Sequence, residues 1–284
     1  MIDLTPAGVR KYLNAHGHAF QYAVIRRCYE LTQNGRSEWT FVAAEVPVGL
    51  QNTIHIDFVL RSRDTRVYLV AECKRADPAR ANWCFVKAPY TRRNARGNEL
   101  VFQEVEYGQR ETVSKPREVA AGIENCHLGF ELRTASSGEG TSGGGSAIKD
   151  ATNQVLRALN GLVDHLFPSA NAIGGHSGSI FFLPVIFTTA TLWVAEGDLS
   201  AADLATGRLP EDWGTLKKVE YLWFNHNQSP ALRHQLPYYL ETSAPGVSDL
   251  SRTLHAEYTR SIYIVGSNGI DSFFKAGLVD WLTP

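Results

Sequence analysis

The sequence predicts an α/β fold, a mixed sheet flanked by helices and built in the order helix, three strands, helix, strand. Three observations predict it. The N-terminal segment repeats apolar residues at helical spacing, and HIDFVL (55–60) and VYLVAECK (67–74) alternate with the period of a strand. Residues 148–167 then form a long amphipathic pattern with an apolar run beyond it. At 284 residues, 44% hydrophobic and 20% charged, the chain has ample material for a core. It reads as a single domain: a core over about 5–75 and 148–190, an insertion over 76–147 and a C-terminal α/β extension over 191–284.

Thr5-Pro6 is an N-cap followed by proline at the first helical position, opening a helix to about Leu31. Val9, Tyr12, Leu13, Phe20, Val24, Ile25, Cys28 and Leu31 supply its apolar spacing, with Gly17 a point where it can divide. Asn34-Gly35 signals a turn before a strand at 39–46. In the next two strands Ile54, Ile56, Phe58 and Leu60 are expected on one face and His55, Asp57 and Val59 on the other. Val67, Leu69, Ala71 and Cys73 alternate likewise with Tyr68, Val70, Glu72 and Lys74. The polar link RSRDTR (61–66) is short enough for a hairpin that brings Asp57, Glu72 and Lys74 together on one side.

From Arg75 to about Ala147 the pattern is irregular, with strands expected at 83–90 and 99–107. The Gly/Ser tract at 134–147 offers no packing residues and is expected to be mobile. In the helix at 148–167, Val155, Leu156, Leu159, Leu162, Val163 and Leu166 form the stripe, and Pro168 is expected to end it. Residues 179–195 supply one buried strand or two, Pro184 arguing against a single uninterrupted central strand. Strands are expected at 219–225 and 261–266, short helices at 251–258 and 270–282, and no internal repeat is present.

A net charge of −1 means that any polyanion site must come from local clustering of Lys and Arg. The four cysteines, at 28, 73, 84 and 126, form no CxxC pair, which argues against a zinc ribbon or disulfide scaffold and for a reducing compartment. The N-terminus lacks the pattern of a signal peptide, and the apolar run at 180–187 is too short to span a bilayer. The expected location is the cytoplasm.

Asp57 and Glu72 end very apolar strands, with Lys74 beside Glu72. Buried carboxylates need a partner, and a divalent cation is a good one. The alternative is a solvated hairpin with a Glu–Lys neighbour pair of little energetic weight. Taken with the element order, the Asp on the second strand and Glu-x-Lys closing the third resemble the PD-(D/E)XK nuclease superfamily, which has the restriction-endonuclease-like fold. The likeness covers about half the chain. It implies Mg²⁺, with Mn²⁺ as a substitute, bound by Asp57, Glu72 and the backbone carbonyl of Cys73. Lys74 would orient or activate the attacking water.

The resemblance also points to Glu45, either as a metal or water contact or as a surface residue, and to Gln154 on the later helix. Ala158 stands where RecB-like members carry a tyrosine, and Ile56 where the superfamily's name has proline. Gln21 stands where many relatives carry a glutamate. The basic residues Arg75, Arg80, Lys87, Arg92, Arg93 and Arg96, interleaved with Trp83, Phe85 and Tyr90, read as a phosphate-contacting edge or as ordinary solvated surface. The activity implied is a Mg²⁺-dependent DNA endonuclease acting on double-stranded DNA, of the kind used in bacterial antiviral defence or restriction, with a homodimer or a regulatory protein as further partner. The alternatives are an RNA-cleaving enzyme, or a silent nuclease-fold adaptor that binds nucleic acid or protein. Adaptors of that kind usually lose one of the acids or the lysine, and this chain retains all three.

Overall fold

A computed structural model describes residues 5–33, 37–48, 54–63, 66–87, 93–94, 97–107, 112–120, 125–132, 146–170, 178–228 and 258–276. The first half contains α1 (Pro6–Ala15), α2 (His18–Gln33), β1 (Trp39–Val48), β2 (Ile54–Ser62), β3 (Val67–Lys74), β4 (Asn82–Val86), β5 (Arg93–Asn94), β6 (Gly97–Tyr107) and β7 (Thr112–Ala120). Then come β8 (Asn125–Cys126), β9 (Leu128–Leu132), α3 (Ser146–Ala170), β10 (Gly178–Thr188), β11 (Thr191–Gly197), β12 (Gly214–Val219), β13 (Tyr221–Asn227), β14 (Thr259–Gly266) and α4 (Ile270–Lys275). The result is a mixed α/β fold.

The Thr5 hydroxyl accepts the Gly8 N–H at 3.1 Å, and Pro6 opens α1. Gly17, at φ +82°, turns the chain into α2, so the helical run divides where the sequence allows it. β1, β2 and β3 form an antiparallel meander. After α3, β10 adds in parallel to β3, followed by β14 and then β13. β6 and β7, from the segment read as an insertion, join this same ten-stranded sheet through β10.

The ends of β3 and β10 both lead onward into a second, four-stranded sheet, in which β4 and β11 pair in parallel between β9 and β12. The Ala76 N–H donates to Thr189 Oγ1 at 2.9 Å and holds the two chain crossings together.

α2 packs Val24 and Cys28 onto Phe58, Leu60, Leu69 and Ala71 on one side of the main sheet. α4 adds Phe273, whose ring meets Phe187 edge-on at 5.8 Å. On the other side α3 places Ala158, Leu159, Leu162 and Val163 against Ile56, Val59, Val70 and Phe182. Farther along, the α3 residues Ile148, Ala151 and Val155 pack with Trp83 and Phe85 of the second sheet.

Five expectations are corrected. Pro184 lies inside β10, a central strand. It falls where the neighbour of β10 changes from β6, paired through Phe182, to β14, paired from Val185, so it sits at a gap in that ladder. Pro168 does not end α3, which runs to Ala170 with proline in its last turn. Ser146 and Ala147 belong to α3 rather than to the Gly/Ser tract, the Ala147 N–H being held by Glu131 Oε1 at 2.7 Å. The strand expected at 83–90 is β4, ending at Val86. Residues 133–145, 251–257 and 277–284 lie outside the described residues.

The fifth correction concerns the faces of β2. Phe58 and Leu60 pack beneath α2, but Ile54 and Ile56 join Val59 beneath α3. The alternation breaks at Asp57.

Candidate active site

The site forms where β2 and β3 part. Their ladder ends at the pair Phe58 and Ala71, so Asp57 and Glu72 are the next residues across. On the other side of β2, the pairs Ala44–Phe58 and Val46–Ile56 bracket Glu45 opposite Asp57. Three acids therefore stand at one level across three strands. Glu45 is the one non-glycine residue with positive φ, 53°, among the described residues. A left-handed residue inside a strand is strained, and the surroundings must hold it there.

The Asp57 carboxylate lies in the seam between the strands. Its Oδ2 accepts the Cys73 N–H at 2.6 Å, replacing the ladder bond lost where the strands separate. Its Oδ1 accepts from Gln21 Nε2 at 2.9 Å, and the same nitrogen donates to Glu45 Oε1 at 2.6 Å. Burial pushes Asp57 up to about 6, the Glu45 charge adding to it and the Cys73 N–H and His18 opposing it.

Glu72 is 8% exposed and accepts no hydrogen bond from a described residue. It follows Val70 on the α3 side of β3, and Lys74 shares that side by alternation. Burial pushes Glu72 up to about 8, the Asp57 charge adding to the rise and Lys74 opposing it. Lys74, half-buried, donates from Nζ to Gln154 Oε1 of α3 at 3.2 Å. Glu72 and Lys74 thus approach the seam from the α3 side, while Gln21 and Glu45 close it from the α2 side. The sequence leads to the expectation that both acids share one face; instead they meet across this seam.

Among the described residues, no group of three or more His, Cys, Asp or Glu side chains is gathered to hold a metal ion. The donor set still fits one hard divalent cation. Mg²⁺ takes few protein oxygens and keeps several waters, and Asp57, Glu72 and the Cys73 carbonyl are oxygen donors of the right kind. Glu72 in particular is a buried acid that accepts no hydrogen bond from a described residue and faces the Asp57 carboxylate across the seam.

Of the basic residues singled out, Arg75 is exposed and follows Lys74 directly. A side chain added at Gly17 would lie 3.6 Å from the Arg75 Cβ, so Arg75 packs beside the α1–α2 turn. Arg92 and Arg96 lie outside the described residues, as does the side chain of Arg93. His55 is exposed. Sequence reasoning noted Gln21 only as a missing acid and overlooked His18. The signal for Gln21 was available, because it heads the buried stripe of α2 that continues through Val24, Cys28 and Thr32.

Compared with protein-family models, curated proteins and solved structures, the chain finds a match in none of the three. No helix among the described residues is long and apolar enough to cross a membrane.

Proposed function

We propose that this chain is a divalent-cation-dependent phosphodiesterase acting on nucleic acid, most directly a DNA endonuclease, with α1–α2, β1–β3, α3 and β10 serving as a restriction-endonuclease-like core. The observation that carries the reading is Glu72, a buried carboxylate with no hydrogen-bond donor among the described residues, beside Asp57 in a strand seam and two residues from Lys74. When bound, Mg²⁺ would polarise the scissile phosphate and acidify a water. Asp57 and Glu72 would hold the ion, with the Cys73 carbonyl as a further donor. The Cys73 N–H and the Gln21 amide fix the direction of the Asp57 carboxylate before substrate arrives. The ammonium of Lys74, steered by Gln154, would balance charge gathering on the phosphoryl oxygens.

A polyanionic substrate suits the surroundings. From Thr5 to Tyr29 the sequence contains no Asp or Glu, while Arg10, Lys11, His16, His18, Arg26 and Arg27 fall in that span. Arg10, Lys11, His16 and His18 are exposed, and Arg75 stands beside their turn. Supercoiled plasmid, linear duplex, single-stranded DNA and RNA, each incubated with Mg²⁺, Mn²⁺ or EDTA, test the proposal. Cleavage of closed circular DNA that EDTA abolishes is the expected result. Cleavage confined to RNA would move the substrate class, and tight binding without any cleavage would make the chain an adaptor.

A further inference from the structure

We infer that Gln21 is a positioning residue that limits the seam to one divalent cation, a reading that rests on the proposed metal-dependent activity. Gln21 is 8% exposed and sits on the buried stripe of α2. Its side chain meets two carboxylates at once, Glu45 Oε1 at 2.6 Å and Asp57 Oδ1 at 2.9 Å. Only the amide NH₂ end satisfies two carboxylate acceptors, so both of its hydrogens are committed. An amide nitrogen has no free electron pair to offer a metal, and here its hydrogens occupy the space between Glu45 and Asp57 where a bridging cation would stand. The Gln21 amide therefore does there, without charge, what a second ion would do. It ties Glu45 to Asp57 and leaves the other side of Asp57, toward Glu72, as the cation site. Glu45 is held in its left-handed conformation facing the amide, so it is a brace rather than a ligand.

Titration of the full-length chain with Mn²⁺ at pH 8, followed by calorimetry and electron paramagnetic resonance, tests this. The parent binds one Mn²⁺ per chain with the spectrum of an isolated ion. Gln21→Glu, which supplies a third carboxylate in place of the donor, binds two and shows spin coupling between them. Gln21→Met keeps the length but loses the donor. It still binds one ion, about tenfold more weakly because Asp57 is no longer held. Circular dichroism checks that each variant is folded, and if Gln21→Glu is not, the parent stoichiometry and the Gln21→Met affinity decide. Two ions in the parent, or parent-like affinity in Gln21→Met, overturns the inference and leaves the metal-dependent reading standing. No Mn²⁺ binding by the parent overturns both.

Discussion

Glu72 and Asp57 each hold a proton more tightly than an ordinary carboxyl, and this has a definite sign for stability. Their ordinary values are 4.5 and 3.8, and in the folded chain they rise to about 8 and about 6. Between those limits the folded state binds more protons than the unfolded one, so stability falls as pH rises from about 4 to about 8 and is level above. Glu72→Gln removes the larger part of this penalty. At pH 8.5 without metal, the variant is expected to melt about 5 °C above the parent, a gain of roughly 2 kcal/mol, and at pH 4 to melt with it. Scanning calorimetry at the two pH values checks this, and a variant less stable than the parent at pH 8.5 would show that Glu72 has a satisfied structural role. Under the proposed function, Lys74 would act chiefly on charge that develops in the reaction. Lys74→Met should lower turnover about 10²- to 10³-fold while Mn²⁺ affinity changes less than about twofold. Equal losses in both would make the lysine part of the metal-holding group.

Helix and strand geometry explains why so much of the architecture could be read from the chain. β2, β3 and α3 stand out because long apolar patterns of period 2 or 3.6 leave little choice of element. What escaped were mostly features set by neighbours distant in sequence. Pro184 is tolerated because two different strands share one edge of β10. The break in alternation at Asp57 coincides with the left-handed Glu45 on the adjacent strand and with the Gln21 amide of α2. The second sheet arises from pairing between β4 and β11, more than a hundred residues apart. Asp57, Glu72 and Lys74 could be placed near one another from strand alternation and the short link, and Gln154 only through the resemblance, whereas the bond from Gln21 to Asp57 required the packing of α2.

Gly17 belongs to this scale too. It sets the angle at which α2 delivers Gln21 and His18 to the seam. Gly17→Ala is expected to cost about 1–2 kcal/mol because alanine is strained at φ +82°. Gly17→Asn should cost clearly less, since asparagine tolerates that conformation. Urea melts of both variants give the comparison, and equal losses would mean that the turn relaxes out of its left-handed conformation.

For the molecule as a whole, a net charge of −1 leaves attraction to nucleic acid to local surfaces. Replacing Arg92, Arg93 and Arg96 together with glutamine is expected to weaken DNA binding alike for all sequences. The dependence of log affinity on log salt should flatten by about one unit per contact removed, with the melting temperature nearly unchanged. Binding as tight as the parent's at low salt would place the phosphate path elsewhere, along α1, α2 and Arg75. The central claim is that Asp57 and Glu72 form a metal-dependent phosphodiester-cleaving centre, and one comparison tests it most directly. Parent, Asp57→Asn and Glu72→Gln proteins, each shown to be folded, are incubated with supercoiled plasmid and Mg²⁺. The account predicts nicked and linear DNA from the parent and none from either variant. Undiminished cleavage by either folded variant would contradict it.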